Sequence, residues 1–172
     1  TGSEFIDVIN ILNEKSLLKN PTSFEWVAEQ MKYKNRIRPG KYKIKKHMSN
    51  RELVNLLRSG KQTPVEVTFH NIRTREQLAS VVGSQLEADS AAIIGLLKNN
   101  VFLQKFGFST TNCMALFVPN TYEFYWNTGA TAFLERMAKE YKKFWNESRK
   151  GKANSIMLTQ TEVSVLASIV EQ

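Results

Sequence analysis

The chain has 172 residues, 42% of them hydrophobic, and its 24 Lys and Arg outweigh 16 Asp and Glu to give a formal charge of +8. This length allows one domain or two small ones with a real core, and the apolar fraction excludes a disordered chain. The charge points to an anionic partner without separating nucleic acid, anionic lipid and a polyanionic cell-wall polymer.

No apolar run approaches the roughly 18 residues of a membrane-spanning helix, so the chain is expected to be soluble. It lacks an initiating Met, no signal peptide precedes Thr1, and its last helical pattern stops within a few turns. A fragment is therefore expected, with any targeting or anchoring segment removed. Cys113 lies in the apolar stretch "CMALFV" and reads as buried and inert, and His47 and His70 fall in no ligand spacing, so no metal site is expected.

In chain order, "SEFIDVINILNEKSLL" carries apolar residues at helical spacing, with Ser3 as its N-cap. A second helix is expected from "PTSFEWVAEQM", capped by Thr22 or Ser23, with Trp26 and Met31 in the core. Residues 31–61 then hold eleven Lys and Arg against the single acid Glu52. In "GKYKIKK" a strand would turn Tyr42 and Ile44 inward and Lys41, Lys43 and Lys45 outward. "MSNRELVNLLRSGK" reads as a short helix with a Ser49/Glu52 capping box, a Leu53, Leu56 and Leu57 stripe, and Gly60 as its stop. "TPVEVTF" alternates again, with Val65, Val67 and Phe69 on one face, completing a strand-helix-strand unit near residue 70.

Two further helices follow, one with a Thr74/Gln77 capping box and one capped by Asp89 or Ser90. An aromatic loop spans Pro119 to Thr128, and after it a long helix presents Phe133, Met137, Tyr141 and Phe144 to the core. "GKANS" reads as a polar linker. A Thr159/Glu162 capping box then opens the last helix, "LTQTEVSVLASIVEQ". On a helical wheel Val163, Val165, Leu166, Ala167, Ile169 and Val170 cover most of the circumference, while Ser164, Ser168, Glu171 and Gln172 share a narrow polar sector. Such a sector fits either a solvated terminal Glu or an acid set above small residues.

Three stretches together resemble one family, the endolytic murein transglycosylases of the MltG or YceG-like type. "RPGKYKIKKHMSNRELVNLLRSGKQTPVEVTF" is similar to its LysM-like segment, "FVPNTYEFYW" to its Phe-Pro-Asp-Thr-Tyr loop, and "LASIVEQ" to the Ala-Ser-Ile-Val-Glu signature of its catalytic Glu. Asn120 stands where the family commonly has Asp, and Met114-Ala115 where many members have Glu-Gly, so roles of those carboxylates do not transfer. The resemblance implies an α+β protein: a LysM-like strand-helix-strand module followed by the N-terminal part of a mixed α/β catalytic domain. Residues 1–70 would hold the N-terminal helices and the module (core about 38–70), and residues 71–172 the catalytic part.

The implied reaction cleaves the bond between N-acetylmuramic acid and N-acetylglucosamine on nascent strands and leaves a 1,6-anhydro end. Ordinary glycosidases need two carboxylates about 5 to 9.5 Å apart. Glu162 and Glu171, nine residues apart on a helix, would be about 13.5 Å apart. The implied mechanism needs one acid, Glu171, which protonates the glycosidic oxygen and then takes the C6 hydroxyl proton as the anhydro ring closes. Both steps suit a carboxyl raised above the usual value of about 4.3 by apolar walls.

Tyr122, Tyr125 and Trp126 are expected to stack on sugar rings or to pack in the core. Asn120 and Thr121 would hydrogen-bond hydroxyls or N-acetyl groups, Glu123 is a second polar group or an exposed loop acid, and Ser164 and Ser168 flank Glu171 on its stripe. No cofactor is expected, since no lysine lies in a Schiff-base context with a phosphate-binding glycine loop. The implied partners are peptidoglycan glycan strands and cell-wall synthases. Nucleic acid is disfavoured because Tyr42 alternates away from the basic face. A non-catalytic glycan- or protein-binding scaffold is the alternative function. The parent would sit on the outer, periplasmic side of a bacterial cytoplasmic membrane, held by a single N-terminal helix. The 172-residue piece would itself be inactive, because the family's catalytic domain continues past its signature Glu.

Overall fold

A computed structural model describes residues 2–170. Contacts within the chain divide it into two units, Thr1–Val65 with Tyr125–Asn127, and Glu66–Phe124 with Thr128–Gln172. The sequence implies a single boundary near residue 70.

The first unit is built on three helices, α1 (Phe5–Glu14), α2 (Pro21–Gln30) and α3 (Asn50–Ser59). The cap of α1 is Glu4, not Ser3. Its backbone N–H donates to Asp7 Oδ2 at 2.7 Å in a reciprocal box, and both carboxylates favour the positive end of the helix dipole. Helix α2 is capped by Asn20, whose Oδ1 accepts from the Ser23 amide, rather than by Thr22 or Ser23. Pro21 is its first residue, a position where the missing N–H has no helical partner to lose.

That start sets which face of α2 is buried. Phe24 and Ala28, one turn apart, enter the core and Met31, half-buried, packs against it, while Trp26 is 64% exposed, against the expectation. Helix α3 has the expected Ser49/Glu52 box and ends at Gly60 in the left-handed region (φ 70°). Its buried stripe is Leu53, Val54 and Leu57, with Leu56 at the margin. These residues join Ile9, Leu12, Phe24, Ala28 and Tyr33 in one cluster. Burial pushes the Tyr33 phenol up to about 12.

The expected first strand of the LysM-like module does not form. Lys41, Lys43 and Lys45 are exposed and Tyr42 and Ile44 half-buried, so the alternation is real, but residues 41–45 join no ladder. A bond from the Thr63 amide to the Lys41 carbonyl (2.8 Å) links this stretch to the residues before β1 (Val65–Thr68). Strand β1 pairs instead with β2 (Thr121–Phe124) in a two-stranded antiparallel sheet. The Phe69 amide donates to the Asn120 carbonyl, and the Thr68 and Thr121 hydroxyls meet at 2.8 Å.

The second unit adds helices α4 (Arg75–Gln85), α5 (Ser90–Leu97), α6 (Asn100–Gln104), α7 (Ala130–Phe144), α8 (Glu147–Ser155) and α9 (Gln160–Val170), with a 3-10 turn at Cys113–Leu116. The protein is thus α+β but mostly helical. Thr74 caps α4 and Asp89 caps α5, as their sequences imply. Phe133, fully buried on α7, packs within 5.3 to 6.1 Å of the rings of Phe69, Phe117 and Phe124. Cys113 is buried, and burial pushes its thiol up.

Two expectations for this unit change, and α9 is exposed. "GKANS" is no linker but the end of α8, capped by Asn146, whose Oδ1 accepts from the Arg149 amide (3.0 Å). Phe144 is 36% exposed, and Trp145 takes the buried position at the end of α7. Helix α9 has no buried residue among those described, and Val165, Leu166, Ile169 and Val170 are exposed. No described helix is long and apolar enough to cross a membrane.

Candidate functional site

A cavity of about 690 Å³ opens within the second unit. Its walls are Asn71–Arg73 before α4, Met114–Ala115 and Phe117–Pro119 before β2, the junction of α7 and α8, and one face of α9. Each wall has a local cause. Asn71 turns the chain with φ 52°, a conformation asparagine tolerates better than most residues, and the Gln77 side chain then accepts from the Arg73 amide (2.9 Å) as α4 begins. Phe117 anchors the second wall through its stack on Phe133.

Helix α9 starts with the expected box. The Thr159 amide and hydroxyl both donate to Glu162 Oε2, at 2.8 and 2.7 Å, and the Glu162 amide returns a bond to Thr159 Oγ1. These bonds hold the Glu162 carboxyl below the usual carboxylate range. Glu162 is thus occupied as a cap.

From that start, Val163, Ser164, Ala167 and Ser168 face the cavity. Both serine hydroxyls donate back to the helix, Ser164 to the Gln160 carbonyl (3.0 Å) and Ser168 to the Val165 carbonyl (2.7 Å). Their lone pairs remain as acceptors toward a ligand.

The cavity is mainly apolar, with Ile72, Phe117, Val118, Phe144, Trp145 and Ile156 on its walls, and Arg73, Arg149 and Lys152 are its charged lining. No acidic side chain among the described residues lines it. Trp145 is 4% exposed, and its buried Nε1 has no acceptor among the described residues, an arrangement that costs about 1 to 3 kcal/mol when no partner arrives.

The structure brings together only some of the residues the sequence singled out. Ser164 and Ser168 line the cavity. Thr121, Tyr122 and Glu123 belong to β2 instead, and Asn120 immediately precedes it. Asn120 Oδ1 accepts from the Thr121 amide, and Thr121 pairs with Thr68. Tyr122 is 8% exposed, packs on Phe69 and donates its hydroxyl to the Val118 carbonyl (2.8 Å). Burial, and secondarily Glu140, push its phenol up. Glu123 is exposed on the opposite face of β2. Tyr125 and Trp126 fall in the first unit, Tyr125 exposed and Trp126 half-buried. Glu171, the expected acid, lies outside the described residues.

Sequence reasoning missed Arg73, Phe144, Trp145, Arg149 and Lys152. The signal for the last two was present. Arg149, Lys152, Ala153 and Ile156 follow the i, i+3, i+4, i+7 spacing of one helix face, and all four line the cavity. The polar composition of "GKANS" conceals the stripe.

The YceG-like family model matches residues 1–172, and the chain belongs to the YceG-like family. A similar fold occurs in the 2.6 Å crystal structure of the yceG-like protein lmo1499 from Listeria monocytogenes, at 17% identity and a TM-score of 0.51. The match covers 92% of this chain and 57% of that one, so the chain spans little more than half the length of its structural relative. Comparison with the curated proteins finds no match.

Proposed function

We propose that the parent protein is an endolytic lytic transglycosylase acting on peptidoglycan, that the cavity of the second unit is part of its glycan site, and that Glu171 is its single acid and base. The observation that carries this reading is the position of Ser164 and Ser168. They line a hollow of about 690 Å³, within the usual range of ligand sites, and in the sequence Glu171 follows them at i+7 and i+3. Membership of the YceG-like family supports the reaction class.

The chemistry asks little else of the protein. Glu171 protonates the glycosidic oxygen between N-acetylmuramic acid and N-acetylglucosamine, and the C1–O bond breaks. The carboxylate left behind accepts the C6 hydroxyl proton as that oxygen closes on C1, so water is not consumed. Glu162, held by Thr159, is not needed as a partner. Within this reading the protein works at the outer face of the cytoplasmic membrane, beside the synthases that make the strands.

The test is digestion of purified glycan strands by the full-length protein, wild type and Glu171→Gln, with mass spectrometry of the ends. We expect 1,6-anhydro ends from the wild type and a loss of at least a hundredfold in the variant. Equal anhydro product from both removes Glu171 from the mechanism. Reducing ends without anhydro sugar replace lysis by hydrolysis.

A further inference from the structure

We propose that the extended segment 41–45 of the first unit is a docking edge for an acidic peptide strand, which adds along it by backbone pairing and sets its carboxylates opposite Lys41, Lys43 and Lys45. The surface lies outside the cavity, and the inference does not depend on the glycan reading.

The first observation is a strand without its ladder. Lys41, Lys43 and Lys45 are exposed, while Tyr42 and Ile44 pack against the helical core. The Tyr42 hydroxyl donates to the Arg38 carbonyl (2.8 Å), and the Thr63 amide donates to the Lys41 carbonyl (2.8 Å). These contacts hold the segment along one side. In an extended chain the backbone groups of successive residues point to opposite edges. With the Lys41 carbonyl turned toward Thr63, the N–H and C=O groups of Tyr42 and Ile44 lie on the other edge, where they have no partner among the described residues. A peptide strand completes an edge of this kind.

The second observation is charge. The first unit carries thirteen Lys and Arg against six Asp and Glu, and all six acids are among its described residues. Glu4 and Asp7 close the cap of α1, Glu52 closes that of α3, and Glu29 pairs with Lys34 (3.4 Å). Lys41, Lys43 and Lys45 take part in no ion pair among the described residues. The backbone sets their spacing: alternate residues of an extended chain are about 6.7 Å apart, so the three span about 13 Å.

On the open edge these lysines take the non-hydrogen-bonded positions of an antiparallel pair, where facing side chains come closest. A second copy of the segment would set lysine against lysine, and like charges directly opposite are destabilising. Glutamate or aspartate at every second residue of the partner turns that repulsion into attraction. A phosphate polymer would meet the same charge, but its backbone accepts hydrogen bonds and donates none, which leaves the Tyr42 and Ile44 carbonyls as they are. A peptide supplies donor and acceptor together, at the two-residue period of the lysines.

Calorimetry on the full-length protein tests this with four probes: the capped peptide Thr-Glu-Val-Glu-Val-Glu-Thr, its counterpart with Gln for Glu, the Glu peptide N-methylated at both valines, and polyphosphate. The wild type is expected to bind the Glu peptide at least tenfold more tightly than the Gln or N-methylated forms, with the margin over Gln shrinking as salt rises. Lys43→Gln should lower affinity for the Glu peptide at least threefold and leave that for the Gln peptide unchanged. Lys43 is exposed, so this variant should melt with the wild type. Should it melt early, Lys41→Gln with Lys45→Gln carries the same expectation.

Failure of the Glu peptide to bind overturns the docking edge and leaves the glycan reading standing. Equal binding of the Glu and Gln peptides overturns the role of charge, and equal binding of the N-methylated form overturns backbone pairing. Displacement of the Glu peptide by polyphosphate at equal charge concentration overturns the choice of a peptide. Full affinity kept by the folded variants overturns the choice of residues.

Discussion

Phe133 has no solvent exposure and sits among Phe69, Phe117 and Phe124, rings drawn from the residue after β1, the segment before β2, and β2 itself. Truncating it leaves a void that three separate chain segments would have to fill. Phe133→Ala is therefore expected to cost about 3 to 5 kcal/mol, read as a lower denaturant midpoint. Gly60 depends on its backbone: φ is 70°, and an added Cβ would meet Arg38 Cδ at 2.7 Å. Gly60→Ala should cost about 1 to 2 kcal/mol in the same assay, and because Arg38 can swing away, most of that loss should persist in an Arg38→Ala background. At this scale the sequence was informative wherever a residue has one dominant use. Cys113 is buried as its apolar neighbours implied. Tyr122 was ambiguous between sugar and core, and strand alternation placed it in the core together with Phe124.

Caps were the most legible elements, because a box needs only two residues at fixed spacing. Ser49/Glu52, Thr74/Gln77 and Thr159/Glu162 all form as the sequence implies. The bonds from Ser49 hold Glu52 below the usual carboxylate range, as those from Thr159 hold Glu162. A folded-state pKa below the unfolded one means stabilisation that is full above the unfolded value and lost as pH falls through the folded value. Acidification below about pH 4.5 should therefore weaken α3 and α9, and Glu52→Gln should reduce the acid sensitivity of the melting temperature. Strand and linker were less legible. Residues 41–45 have the alternation of a strand but no partner for it, and pairing is not a local property. Helix α8 was concealed by its glycine and polar composition, although Arg149, Lys152 and Ala153 share one face. Helix α9 buries none of its described residues, so its amides should exchange with deuterium faster than those of α7, as read by peptide mass spectrometry.

For the molecule as a whole, the α+β class and the family were visible in three short motifs, whereas the cavity was not. Its lining comes from five separate stretches, and of these α8 and α9 alone carry a local periodic signal. The partition into units was hidden for a related reason. Three residues of the first unit, Tyr125–Asn127, arrive after the whole of β2, and Gln62 Nε2 donates to Asn127 Oδ1 across 65 positions of sequence (3.0 Å). A gene segment ending at codon 65 would encode the basic helical part without that strap, and Gln62 would lose its partner. The unit therefore cannot be shuffled between genes by a single cut, as a linear glycan-binding cassette can. Recombination that moves it must carry β1 and β2 along, which ties the inheritance of the basic surface to that of the unit holding the cavity.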